Sequence, residues 1–291
     1  MEGLLVLLHR ATWAVRLLNP LTRQTADLPP ATTLPNQNPR DPKTPRKVLH
    51  VSGAGLADDS TIAVNFNLYG ILAVAKPGDS HWTMVVRRCP YFLQSLSFTD
   101  RFYGLTHKAV MVLETSASQP PRLVIAADLP TSLDRTRNYD FHLMDNGGEL
   151  IFMYRGQGNN DNNEDTKYEV YRVDLDLRKM VPIHGLGARA VLIGFEHALS
   201  VTPSVFPSIG ADAIYLGFDM KTPGMQDNSP INLMDRTFEP RRSEYSIDGM
   251  PLYEPLGLDD YLSWCVTCYR HYPYSCVPCS EFAPGGIFAF A

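Results

Sequence analysis

Between Tyr139 and Ile183 apolar and polar side chains alternate in four short runs set apart by turn-forming residues. Tyr139, Phe141 and Leu143 occupy alternate positions, Asp145-Asn146-Gly147-Gly148 follows, and Leu150–Tyr154 is a continuous apolar run. A period of two places every second side chain on one face of a strand. Asn-Gly and Gly-Gly supply the positive φ angles that a tight hairpin needs. Past a polar loop of Gly, Asn and Asp (Gly156–Asp165), Tyr171, Val173 and Leu175 alternate with Arg172, Asp174 and Asp176, and a last run ends at Val181-Pro182-Ile183. The stretch predicts an antiparallel meander of four strands.

The same pattern recurs along the chain. Leu4–Leu8 and Ala14–Leu18 read as a hairpin, although their periodicity also fits a helix. Pro29, Pro30, Pro35, Pro39, Pro42 and Pro45 mark a loop. Runs resume at Val48–Val51, Thr61–Phe66, Gly70–Ala75 and Trp82–Val86, with a β-turn at Lys76–Ser80. Val51-Ser52-Gly53-Ala54-Gly55, which lacks the Lys of a P-loop, reads as a loop between strands. Further runs are Phe92–Phe98, Phe102–Leu105, Ala109–Leu113 and Arg122–Ala127, then Ala190–Phe195, Ala198–Val201, Ala213–Phe218 and Ile231–Met234. Units beginning near Val48, Phe92, Tyr139 and Ala190 recur every 40–50 residues or so, the period of four-stranded propeller blades. A sandwich would also have short strands, but not this spacing of meanders. The expected class is all-β, a β-propeller of four-stranded antiparallel blades.

Composition narrows the function. The 23 prolines and 20 glycines are spread between apolar runs, which argues against long helices. A net charge of −5 without a basic stripe gives no case for nucleic acid. No apolar run reaches the roughly 20 residues of a membrane span. Five cysteines make no disulfide framework for 291 residues and there is no Asn-x-Ser/Thr sequon, so a reducing compartment, cytoplasm or nucleus, is expected. Arg10, Arg16 and Arg23 faintly suggest a mitochondrial presequence, against which Asn19-Pro20 and Pro29-Pro30 would break its helix.

Leu17-Leu18-Asn19-Pro20-Leu21-Thr22-Arg23, followed by Ala26-Asp27-Leu28-Pro29-Pro30, resembles the first blade of the plant F-box-associated propellers of KIB type. Tyr139–Arg155, Tyr168–Leu177, Leu186–Phe195, Ala211–Asp219 and Asp260–Val266 are similar to that family's later blade strands. The resemblance covers roughly residues 3–266 and implies a propeller over residues 1–266, with an irregular Cys/Pro/Gly-rich tail over 267–291. It implies a non-catalytic protein-binding module, like the substrate-recognition half of a ubiquitin ligase. Family members carry a helical F-box ahead of the propeller, whereas Met1 stands inside the first blade. The ligase adaptor is therefore not expected as a partner, and the protein ligand is unknown. Sequence beyond Val266 offers little to complete the first blade, so an open seam is expected beside residues 4–18, with Leu4–Leu8 an unpaired, association-prone edge.

No catalytic, cofactor-binding or metal-ligating residue stands out, and no cofactor is expected. Cys265-x-x-Cys268 and Cys276-x-x-Cys279 could complete a tetrahedral zinc site, but the pairs lie closer together than in zinc ribbons and read better as reduced thiols. His9, His50, His81, His107, His142, His184, His197 and His271 show no metal-ligand spacing and read as exposed or singly hydrogen-bonded. Asp100, Asp128, Asp134, Asp174 and Asp219 lie near strand ends, where turn formation explains them better than a carboxylate ring or a calcium site. The alternatives are a propeller hydrolase or lyase with a site in the central channel, a small zinc module on an inert propeller, or a fragment without function.

Overall fold

A computed structural model of the chain describes residues 5–9, 11–34, 51–66, 71–86, 92–116, 118–133, 139–156, 167–194, 198–206, 209–216, 231–233 and 286–290. Within them the chain forms strands in sheets of four and one 3₁₀ turn at Ala31–Thr33. No helix among the described residues is long and apolar enough to cross a membrane. The chain divides into two compact units. The first holds Met1–Leu129, Leu177–Lys179 and Ser275–Ala291, and the second Pro130–Asp176 and Met180–Tyr274.

The first sheet of the first unit joins β1 (Leu5–His9), β2 (Val15–Leu18), β3 (Thr25–Leu28) and the C-terminal strand β20 (Gly286–Phe290), in the order β20-β1-β2-β3. β20 runs antiparallel to β1 along its whole length, from Leu5↔Phe290 to His9↔Gly286. The expected open seam is therefore filled, and the expected irregular tail contains a strand. The N–H and C=O groups on the outer edge of β1 need partners, and Gly-Ile-Phe-Ala-Phe near the C-terminus, with strand-forming Ile287, Phe288 and Phe290, supplies them. Strand β3 was also not expected, because its four residues, within the short stretch from Asn19-Pro20 to Pro29-Pro30, carry little periodicity.

The second sheet is β4 (Val51–Leu56), β5 (Ile62–Phe66), β6 (Ile71–Ala75) and β7 (Thr83–Val86). Here the glycine-rich stretch is not a loop but strand β4, paired with β5 from Val51↔Phe66 to Leu56↔Ile62. Every residue of β5 and β6 is buried, whereas the edge strand β7 is only half-buried or exposed. That is the signature of a sheet covered on both faces. One face packs on the first sheet through Val6, Leu8, Val15, Leu17, Val64 and Phe66. Trp82 reinforces this contact, its ring edge-on to Phe66 at 5.8 Å and its Nε1 donating to the Pro29 carbonyl at 2.8 Å. The other face packs through Ala63, Leu72 and Val74 on Phe92, Phe102 and Leu113 of the third sheet. That sheet is β8 (Gln94–Phe98), β9 (Arg101–Leu105), β10 (Ala109–Ser116) and β11 (Gln119–Asp128).

The second unit carries the central meander, β12 (Tyr139–Asp145), β13 (Leu150–Gly156), β14 (Lys167–Asp174) and β15 (Lys179–Ile183), in chain order. Gly147 and Gly148, at φ 72° and 95°, make the hairpin turn that Asn-Gly-Gly anticipates. The fifth sheet is β16 (Ala190–Ile193), β17 (Ala198–Val201), β18 (Ala213–Leu216) and β19 (Ile231–Asn232), ordered β17-β16-β18-β19. It departs from a simple meander: β17 folds back on one side of β16, the chain crosses over, and β18 pairs with β16 in parallel, Val191↔Ile214 to Ile193↔Leu216. Met144, Ile151, Met153 and Val170 pack against Val191, Ile193 and Ile214 to form the core between the two sheets.

If β20 completes the first sheet, deleting residues 286–291 uncovers the edge of Leu5–Leu8. The truncated chain should unfold at a lower urea midpoint and show concentration-dependent association in sedimentation velocity, while the full chain stays monodisperse. A truncated chain that behaves like the full one would show that β20 does not hold this edge.

Candidate functional site

Gly53 and Gly55 face β8. A Cβ on Gly53 would lie 1.8 Å from Ser95 Oγ, and one on Gly55 would lie 2.9 Å from Ser97 Oγ. Because residue 53 meets 95 and residue 55 meets 97, β4 and β8 run in the same direction. Each is followed by antiparallel neighbours, so the β4–β5, β6–β7, β8–β9 and β10–β11 turns all lie at one end of these two sheets. Ser97 Oγ donates to the Leu56 carbonyl at 2.7 Å and ties β8 to the end of β4.

At that end the third sheet is uneven. β10 pairs with β9 only over Val110–Val112, yet it continues with β11 through Leu113↔Leu123 and Glu114↔Arg122 to Ser116↔Gln119. The β10–β11 hairpin thus overhangs the shorter strands β8 and β9. Between the overhang, the β4–β5 turn and the β8–β9 turn lies a cleft of about 480 Å³. Ala57, Asp58, Asp59, Thr99, Asp100 and Glu114 line it, with Arg101 and Arg122 among its other walls.

The electrostatics of the cleft follow from its local turns. Asp58 Oδ1 accepts from Ser60 N at 3.0 Å and Thr61 N at 2.8 Å, and Thr115 reaches the same carboxylate from the hairpin. Burial raises the Asp58 carboxyl, but these donors outweigh it and hold the group down at about 2. Glu114 is neutralised by Arg122 at 2.7 Å. Arg101 turns to the Tyr103 phenol, which burial pushes up against the pull of that guanidinium. Asp58, Asp59 and Asp100 have no cationic partner among the described residues. Thr99 and Asp100 form a two-residue turn at φ 46° and 56°, a left-handed conformation that usually falls to Asn-Gly.

Of the residues singled out in the sequence, only Asp100 enters this cleft. Asp128 ends β11 at the opposite end of the third sheet, and Asp174 ends β14 in the second unit. Asp134 and Asp219 lie outside the described residues, as do Cys89, Cys265, Cys268, Cys276, Cys279, His50, His197 and His271. His9 and His81 bond Thr12 Oγ1 and Ser80 Oγ, each at 2.7 Å, and His107 and His184 are exposed. His142, read as exposed or singly hydrogen-bonded, is buried within β12. Asp58 and Asp59 escaped notice because an Asp-Asp-Ser turn is common between strands. Their signal was the join of that turn to the glycine-bearing strand β4.

In the second unit the polar residues serve as ties. Asn146 Nδ2 donates to the Leu186 carbonyl at 3.0 Å, and Ser200 Oγ donates to Asn146 Oδ1 at 2.6 Å. Arg189 donates through Nε to Ser200 Oγ at 2.8 Å and through Nη1 to Thr202 Oγ1 at 2.7 Å, with its guanidinium over Gly147. A larger residue at 147 would displace it. The group holds the β12–β13 turn against the fifth sheet.

Two outcomes test this geometry. The Asp58 carboxyl sits below its ordinary 3.8, so its contribution is complete above about pH 4 and lost as pH falls through about 2. Asp58→Asn should flatten the fall of the urea midpoint across that window, and a curve parallel to wild type would contradict the bonding described. Replacing Thr99-Asp100 by Asn-Gly should raise stability by about 1 kcal/mol through relief of left-handed strain, measured as the same midpoint. A loss would show that the side chains matter more than the turn.

A search of curated proteins found no match to this chain. A match to the KIB1-4 beta-propeller family extends over residues 1–239, most of the chain and all five sheets apart from β20. The blade-like sheets and this match agree: the chain belongs to the KIB1-4 beta-propeller family.

Proposed function

We propose that the chain is a non-catalytic protein-binding β-propeller that serves as the recognition element for a protein ligand, in the manner of the substrate-recognition half of an F-box ligase. The observation that carries it is the cleft at the turn-bearing end of the second and third sheets, where two turns and an overhanging hairpin are held by buried strands. Variable loops on a rigid scaffold are the usual place for recognition. The lining supports binding over turnover. Asp58 is saturated with donors and stays ionised, and Glu114 is held by Arg122, so both carboxylates are already committed to partners within the fold. The proposal places the chain in the cytoplasm or nucleus, supported by the few cysteines and the lack of sequons.

Chemical crosslinking of the full chain in cell extract, followed by titration of the recovered partner, tests this function. A saturable protein partner crosslinked to the turn-bearing end, with no turnover of ester, phosphoester or glycoside panels, is the expected result. Turnover abolished by a single change among Asp58, Asp59 and Asp100 would instead make the chain an enzyme.

A further inference from the structure

Arg189 stands immediately before β16, and its guanidinium bonds only neutral acceptors. Nε donates to Ser200 Oγ at 2.8 Å, Nη1 to Thr202 Oγ1 at 2.7 Å and Nη2 to the Ser200 carbonyl at 3.3 Å. These bonds do not exhaust the N–H donors of a guanidinium, which keeps its charge at any physiological pH. The residue is half-buried, and no carboxylate lies within ion-pair distance of it among the described residues. The acidic side chains at the adjoining strand ends are committed elsewhere. Asp145 Oδ1 accepts from Gly148 N at 2.7 Å, Asp212 Oδ1 accepts from Leu186 N, and Glu149 faces Arg172 at 3.6 Å. A cation withdrawn from water is ordinarily matched by an anion. Arg189 is matched only by hydroxyls and a carbonyl.

The guanidinium is also fixed and approachable. Ser200 Oγ, which accepts from it, donates in turn to Asn146 Oδ1 at 2.6 Å, and Asn146 Nδ2 donates to the Leu186 carbonyl at 3.0 Å. An arginine on an open surface gives up rotamer freedom when it binds an anion, whereas this one gave it up on folding. The turns around it carry little bulk. Gly147 lies against the guanidinium, a Cβ there being 3.1 Å from Nη1, but a Cβ on Gly148 or Gly187 would meet nothing within 4 Å. Thr202 also opens a turn, its carbonyl accepting from Val205 N at 2.9 Å, and that turn presents Val205 67% exposed. A rigid arginine next to exposed apolar surface suits contact with a protein better than capture of a free ion.

We propose that the β12–β13 turn and the start of β16 dock an aspartate or glutamate side chain of a partner protein, its carboxylate on Arg189 and a neighbouring apolar residue on Val205. The planar donors of a guanidinium match the two oxygens of a carboxylate. A carboxylate also matches the single positive charge, whereas a phosphoryl dianion would leave charge unmatched in a turn that already holds Asp145. The assignment rests on the protein-binding function proposed above and adds to it a contact in the second unit.

The probe is a library of random nonapeptides displayed on phage, selected in parallel against the full 291-residue chain and its Arg189→Lys variant, which keeps the charge but not the planar fork. Peptides enriched on wild type alone should carry Asp or Glu beside an apolar residue. The best of them, synthesised, should bind at least tenfold more weakly to Arg189→Lys and to Val205→Asp, and more weakly as salt rises. Arg189 also ties β16 to β17, so two readouts are chosen that leave it in place. Val205 is exposed, and Val205→Asp should keep the wild-type urea midpoint, which is checked first. In the unaltered chain the peptide should shift the Arg189 Nε–H resonance saturably. Selection of the same peptides on both chains or of none, no acidic residue among those that differ, an Nε–H resonance that stays in place, unchanged affinity for Val205→Asp, or tighter binding of a peptide with phosphoserine in place of the acid would each overturn the proposal. A crosslinked cellular partner that binds both variants as it binds wild type would remove this docking point and leave the binding function standing. The absence of any saturable protein partner would remove both.

Discussion

The approach of β4 to β8 sets the geometry of the second and third sheets. Facing sheets normally keep side chains on both inner surfaces and stand about 10 Å apart. Gly53 and Gly55 offer none, and Ser95 and Ser97 occupy the space where their Cβ atoms would be. A similar device recurs one strand away, where the Phe92 ring covers Gly104 of β9 and a Cβ there would lie 2.5 Å from it. Close contact along one line leaves the remainder of the interface to larger groups, Leu72, Phe102 and Leu113 among them. It also aligns β4 with β8, and that alignment brings the β4–β5 and β8–β9 turns side by side beneath the β10–β11 hairpin. The cleft is thus a consequence of two glycines on a strand whose own residues do not line it.

Apolar burial dominates the energetics of these sheets. β5, β6 and β16 are buried along their whole length, at roughly 25 cal/mol per Å² of apolar surface removed from water. The ion pairs add little by comparison. Arg16–Asp27, Arg122–Glu114 and Arg172–Glu149 are substantially exposed, and such pairs are worth about 0–1 kcal/mol. Arg155–Asp140 is better covered, at 2.8 Å, and Arg155 also donates to the Tyr168 hydroxyl at 3.1 Å, fixing β12, β13 and β14 to one another. With so little held by surface charge, edges matter. Pairing of β1 with β20 converts the most apolar edge of the first sheet into an interior position.

Most of the fold was legible in the sequence because antiparallel strands with buried faces write themselves as alternation and turn chemistry. Tyr139–Ile183 announced its four strands, and Gly147-Gly148 its turn. What escaped depended on contacts distant along the chain. Gly53 and Gly55 look like loop residues until Ser95 and Ser97 are placed against them. Gly286–Phe290 looks like part of an irregular tail until the edge of β1 is seen to need a partner. The parallel pairing of β16 with β18 depends on which side of β16 is taken first by β17, which local periodicity does not encode. At the candidate site Asp100 was visible as a turn residue. The cleft around it required the unequal lengths of β9 and β10, set by where the ladder ends at Val112.

The most direct test of the β4–β8 contact is a double-mutant cycle on Gly53→Ala and Ser95→Ala, read as the free energy of unfolding in urea. Ser95 Oγ is buried with no hydrogen-bond partner among the described residues, so removing it alone should cost little. Gly53→Ala alone forces a methyl group into that oxygen and should cost about 1–3 kcal/mol. In the Ser95→Ala background the same change should cost markedly less, with a coupling of about 1 kcal/mol or more. Additive effects of the two changes would contradict the contact, and with it the alignment on which the cleft depends.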